Sequence, residues 1–188
     1  MCSTRYKSRM NAVRMSRETL LPALAAHVLR HGLGGLSLRP LAKSANTSDR
    51  MLLYHFGSKE QLVAALLDHL AIQFTVALDS HFPAERSPSR RACAEAVFAI
   101  TGEAAFEPFL RVWWDIVAGC AGGNSAYLDA AGRIMDQLLA WVTDHLPESD
   151  PDPREGARAV LAVIEGAQML RAIGRDEIAK AGLFALEG

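Results

Sequence analysis

Several classes of protein are excluded by what this sequence lacks. Its three cysteines, Cys2, Cys93 and Cys120, are too few and too scattered for a disulfide framework, and no metal-ligand spacing surrounds them. They read as reduced thiols of a cytoplasmic protein, with redox sensing at Cys93 or Cys120 as a lesser alternative. No apolar run reaches about 18 residues, so neither a transmembrane helix nor a membrane partner is expected. The first seventeen residues are basic but lack the apolar core of about 7–15 residues that a secretory signal needs. The motifs G-x-S-x-G, C-x-x-C and H-E-x-x-H are absent, as is a glycine-rich phosphate loop. Asp68 with His69 and Asp144 with His145 are adjacent pairs, but neighbours on a helix point about 100° apart and do not form a dyad. An enzyme is not expected, nor a cofactor or a metal.

Strand-like alternation is also missing. Half of the residues are hydrophobic, enough for a sizeable core, and they recur at spacings of three and four in stretches dominated by Ala and Leu. The fold class is therefore all-α. The punctuation predicts about nine helices: 17–31, 38–45, 48–54, one from about 59 to His81, then 90–102, 106–119, 125–146, 153–173 and 176–185. Pro22 lacks the amide for a helical bond, so the first helix starts near Thr19 or kinks at Pro22. The polar stretch 83–89 reads as a connection.

A net charge of −1 hides a polarity. Residues 1–60 hold ten Lys and Arg against three Asp and Glu, whereas residues 61–188 hold ten against eighteen. A basic end on an acidic body suits a protein that meets a polyanion at one end.

Residues 37–62 sharpen that expectation. Ser37 is placed to cap a short helix, Asn46 and Thr47 make a tight turn, Thr47 or Ser48 caps a second helix, and Gly57 and Ser58 open a third. Leu38, Leu41, Ala42, Ala45 and Leu52 supply the apolar and small residues with which one helix braces another in a helix-turn-helix. With Ser37, Ser48, His55, Phe56, Ser58, Lys59 and Leu62 they match, without a gap, the pattern typical of the DNA-binding segment of the tetracycline-repressor (TetR) family. The resemblance covers about residues 17–66. Three positions depart from it: Asn46 stands for the usual turn glycine, Leu53 for a tyrosine that often contacts phosphate, and Arg50 for a small residue.

The resemblance implies an N-terminal three-helix DNA-binding domain followed by a helical ligand-binding and dimerisation domain. The expected division is a flexible basic leader over 1–16, the helix-turn-helix domain over 17–62 and the larger domain over 63–188. It implies a sequence-specific, ligand-responsive repressor acting as a homodimer on a palindromic duplex operator. Arg50, Asp49 and Met51 are the candidates for reading base edges, Arg50 through a bidentate bond to guanine. Ser37, Ser48, Tyr54, His55 and Lys59 are the candidates for holding phosphates, Lys59 together with a helix N-terminus. Phe74, Phe98, Phe106, Phe109, Trp113 and Trp114 are expected to line a pocket for an unidentified small molecule, between helices four and seven, with Asp115, Gln73 and His81 as polar contacts. Leu161, Ile164, Gly166, Ala167 and Leu170 are expected at the subunit interface. The departures at Asn46 and Leu53, with Pro22, leave a second reading open: a helical adaptor that binds protein through a degenerate helix-turn-helix.

Overall fold

The computed structural model describes residues 15–186, and among them there are nine α-helices and no strand. The basic leader lies outside the described residues except for Met15 and Ser16. Ser16 caps helix α1 (Arg17–His31) in a reciprocal capping box with Thr19, so the helix starts before Thr19 and runs through Pro22. A proline inside a helix forgoes one backbone bond and costs about 3 kcal/mol or more. Complete burial of Leu24, Ala25 and Val28 on the inner face offsets it.

The next two helices are short and tightly joined. Helix α2 is Leu38–Ser44 and α3 is Asp49–Phe56. Asn46 between them takes a φ of 51°, the left-handed conformation that asparagine tolerates better than most residues. Ser48 accepts the Met51 amide at 3.3 Å and so fixes the start of α3. Ser37 sits at the cap position of α2 but makes no side-chain capping bond, contrary to expectation.

Helix α4 (Lys59–His81) is long and apolar enough to cross a membrane by length and composition, which corrects the expectation that no such segment exists. In this structure it is the spine of the molecule. Leu62, Val63, Leu66, Leu67 and Leu70 enter one buried cluster with α1, α2 and α3, and Leu78 enters a second. The first cluster extends beyond residue 62 into the body, taking in Val112, Ile116 and Ala130.

The body comprises α5 (Arg90–Ile100), α6 (Glu107–Ala121), α7 (Ser125–His145), α8 (Pro153–Ala172) and α9 (Asp176–Phe184). Ser89, Asn124 and Asp152 cap α5, α7 and α8 through their side chains. The polar connection before α5 is pinned: the Ser87 amide donates to the His145 carbonyl at 3.0 Å, and the Arg86 guanidinium to Leu146 O at 3.1 Å. Arg90 holds both carboxylate oxygens of the buried Asp150, at 2.7 and 2.6 Å, which ties α5 to the link between α7 and α8. Cys93 is fully buried, and burial pushes its thiol up to about 11. A redox sensor needs the reverse, an accessible thiol with a lowered pKa, so that alternative fails at Cys93.

Candidate nucleic-acid interface and internal cavity

The surface of the head follows from how α3 is braced. Leu52 and Phe56 are its buried residues, which turns Ser48, Asp49, Arg50 and Tyr54 to solvent. Tyr54 is 78 % exposed, far more than a tyrosine with a packing role. Met51 is half-buried at the edge of the same face. Ser48 accepts a backbone amide with its lone pair, which leaves its hydroxyl proton free to donate. Ser37 is exposed and uncommitted. Lys59 is exposed in the first turn of α4, whose start Ser58 caps by accepting the Gln61 amide at 3.1 Å.

His55 differs from the other candidates. It is half-buried and its Nε2 is buried without a partner, so that nitrogen is turned away from any outside phosphate. The structure adds two cations to the candidates: Arg39 and Lys43 are both exposed on α2, one turn apart and opposite the buried Leu41 and Ala42. Their signal was in the sequence, a basic pair at i and i+4 on the outward side of the bracing helix. Arg17 also reaches the head, its guanidinium 5.1 Å from the centre of the Phe56 ring.

A cavity of about 90 Å³ lies in the body, walled by α4, α5, α6, α7 and α8 and touched by Leu29 of α1. Phe74, Phe109 and Trp113 line it. The other expected liners are elsewhere. Phe106 is buried in the core beside it, with its ring edge-on to Phe74. Phe98 packs under the Arg171 guanidinium, 3.3 Å from its ring centre. Trp114 and Asp115 face a separate surface groove. His81 is exposed and spends a ring nitrogen on the Ala77 carbonyl, and Gln73 is not among the lining residues.

The polar residues that line the cavity are different ones: Thr101, Gln137, Glu165 and Gln168. The Trp113 indole donates to Glu165 Oε2 at 2.8 Å. Burial nevertheless raises the Glu165 carboxyl above the usual carboxylate range, with the indole bond only opposing the rise. The signal available in the sequence was a single carboxylate within the apolar stretch 159–167 of α8.

On α8 the residues expected at a subunit interface lie mostly on the inward face. Ile164 and Ala167 are buried within the protomer's own core, Leu161 and Ile164 line the cavity, and Leu170 packs on the second core cluster. Only Gly166 falls near the outward stripe of Arg158, Ala162, Met169 and Ile173, where a β-carbon added at Gly166 would meet open space. Met169, Ile173, Ile178 and Phe184 form the exposed apolar set on α8 and α9, Ile173 at 66 % and Phe184 at 72 %.

Cavity and head are joined by α6. On one side Trp113 holds Glu165. Two residues to either side, Arg111 Nη2 donates to the Leu29 carbonyl and Asp115 Oδ2 accepts the Leu33 amide, both at 2.7 Å. The two bonds grip the C-terminal end of α1, where free carbonyls favour a cation.

Comparison with known proteins bears on this arrangement. Residues 21–66 match the family model described as bacterial regulatory proteins, tetR family. The HTH-type transcriptional repressor Rv3405c of Mycobacterium tuberculosis (strain ATCC 25618 / H37Rv) is 35 % identical over 66 residues, which are 35 % of this chain and 35 % of that protein. The HTH-type transcriptional repressor NicS of Pseudomonas putida (strain KT2440) is 32 % identical over 62 residues, 33 % of this chain and 29 % of its own length. The chain thus matches only about a third of these curated relatives' length. Solved structures extend the likeness of fold to nearly all of it. A TetR transcription regulator from Haloarcula marismortui covers 90 % of this chain and 93 % of its own, with a TM-score of 0.65 at 16 % identity. The multidrug binding protein EbrR complexed with imidazole covers 92 % and 89 %, with a TM-score of 0.66 at 23 % identity.

Proposed function

Because the chain belongs through residues 21–66 to the tetR family of bacterial regulatory proteins, we propose that it is a ligand-responsive transcriptional repressor that binds a palindromic operator as a homodimer in the cytoplasm. The observation that carries this reading is the outward face of α3, where Arg50 and Tyr54 stand exposed above a buried Leu52 and Phe56 on a basic N-terminal third. Salt-dependent binding to duplex DNA separates this reading from the adaptor, and the local geometry favours the first. Asn46 makes the turn, α1 forms through Pro22, and α3 reaches Phe56, so the departures from the family pattern have not disabled the head.

In this mechanism α3 enters the major groove. Arg50, Asp49 and Met51 meet base edges, while Tyr54, Ser37, Ser48 and Lys59, with Arg39 and Lys43, hold phosphates on either side. The exposed apolar strip of α8 and α9 pairs two protomers, so that two heads address half-sites about 34–36 Å apart or a multiple of that. A ligand in the cavity pushes on Trp113 and Leu29, and α6 passes the change to α1 and the head. The EbrR complex supports a ligand in such a fold.

Selection of binding sites from random duplex DNA, followed by affinity measurements over a salt series, tests the reading. A palindromic winner bound about 10³-fold or more above scrambled DNA is expected; no enriched sequence would overturn it. Two substitutions refine the test. Arg50→Ala should cost about 1–3 kcal/mol and relax preference at one or two base positions, whereas a uniform loss over all sequences would move Arg50 to a phosphate. Lys59→Ala should weaken binding to all sequences alike and lower the salt slope by about one. An unchanged slope would remove Lys59 from the phosphate contacts.

A further inference from the structure

The hydrogen bonds of the cavity wall restrict what can enter it. Thr101 donates its hydroxyl proton to the Val97 carbonyl at 2.7 Å, so it can only accept from Gln168, whose Nε2 lies 2.6 Å away. That fixes the amide orientation and leaves Gln168 Oε1 as the free end. Gln168 is 5 % exposed, and its Oε1 is buried with no partner. The Trp113 indole proton is spent on Glu165 and the Trp141 indole proton on Asp79. Glu165 and Gln168, three residues apart on α8, both line the cavity and share one helix face. Among the described residues no lysine, arginine or histidine lines it. The wall therefore holds a largely buried carboxyl whose one donor is the Trp113 indole, and a buried amide oxygen without a donor on a residue that also borders the outer groove with Arg171; a buried acceptor is costly to leave without a donor. Apart from Gln137, whose Nε2 donates to Thr75 Oγ1 at 3.0 Å, the rest of the wall is apolar and aromatic.

We propose that the cavity takes a small apolar or aromatic ligand bearing an ammonium or similar cationic donor, with the cation meeting Glu165 and Gln168 Oε1 and the apolar part packing on Phe74, Phe109 and Trp113. The inference rests on the reading of the cavity as the effector site and deepens it by naming the ligand's chemistry. The indole and phenyl faces add attraction for a cation. Size sets a second condition. At about 90 Å³ the cavity is smaller than the roughly 150 Å³ that holds a benzene ring, so even a one-ring ligand parts the helices that wall it.

Three probes of nearly one shape separate the possibilities: toluene, benzyl alcohol and benzylamine, titrated by calorimetry against the protein without DNA. Benzylamine should bind about tenfold or more tighter than the other two, since bonds to a charged group contribute about 1.5–3 kcal/mol. Glu165→Gln should remove that advantage and leave toluene within about twofold. Gln168→Leu should weaken benzylamine alone. Toluene equal to benzylamine on the unaltered protein overturns the proposal without relying on any variant folding, as does a Glu165→Gln variant that keeps the benzylamine preference. Failure of all three probes overturns it too and removes the cavity as an effector site, whereas DNA binding, assayed separately, stands or falls independently.

Discussion

A variant carrying Ile173→Asp and Phe184→Asp should be a folded monomer that has lost specific operator binding. Both residues are exposed in the protomer, at 66 % and 72 %; charging them gives up only the stacking of the Arg91 guanidinium, 5.1 Å from the Phe184 ring centre, which an aspartate replaces with an opposite charge, and leaves helical content unchanged. In a two-fold dimer each substitution occurs twice at one self-complementary surface. Four carboxylates would then need to be desolvated without partners, at several kcal/mol each, which no interface of ordinary size withstands. A lone head contacts too few base pairs for selectivity, so affinity for the selected palindrome should fall about 10³-fold or more, to the level of scrambled DNA. Sedimentation would report the mass and a binding titration the loss. A variant that stays dimeric and binds normally would move the interface off α8 and α9. A monomer that still binds the palindrome tightly would remove the requirement for two half-sites.

Those residues differ from the interface set expected from the sequence because burial divides α8 into two faces. The start of α3, the turn at Asn46 and the start of α4 were legible because their causes are local: a serine that can accept an amide, a residue that tolerates positive φ, a glycine followed by a capping serine. The two faces of α8 were not. Ile164 and Ala167 are apolar and covered by the protomer itself, whereas Met169 and Ile173 are apolar and uncovered, and nothing along the chain says which neighbour covers which face. The aromatics divide in the same way. Phe74, Phe109 and Trp113 reach the cavity but Phe106 and Phe98 stop short of it. Their distances from it are set by the approach of α4, α5 and α6, which no spacing encodes. Glu165 stands alone as a carboxylate in an apolar stretch of α8, which does not say what it meets. Its partner Trp113 lies 52 residues away, and only the packed structure joins them.

The same distant contacts yield the second large effect. Replacing Asp115 by Ala together with Arg111 by Ala should disconnect the ligand from the DNA. Neither side chain lines the cavity, and neither belongs to the exposed face of α3, so probe binding to the free protein should stay within about twofold. Bonds to charged groups contribute about 1.5–3 kcal/mol each, and the buried Leu33 would keep an amide without its acceptor. Thermal unfolding should register that loss. What should disappear is the response. If ligand and operator are coupled by about 1–3 kcal/mol, the intact protein changes DNA affinity about 5–150-fold on ligand binding. The double variant should change it by less than about twofold. Linkage is reciprocal, so operator DNA should also cease to weaken ligand binding, which gives an independent measure of the same free energy. If the variant releases DNA as the unaltered protein does, the signal does not pass through the grip of α6 on α1. It would then run along α4, whose leucines join both cores and whose first turn carries Lys59.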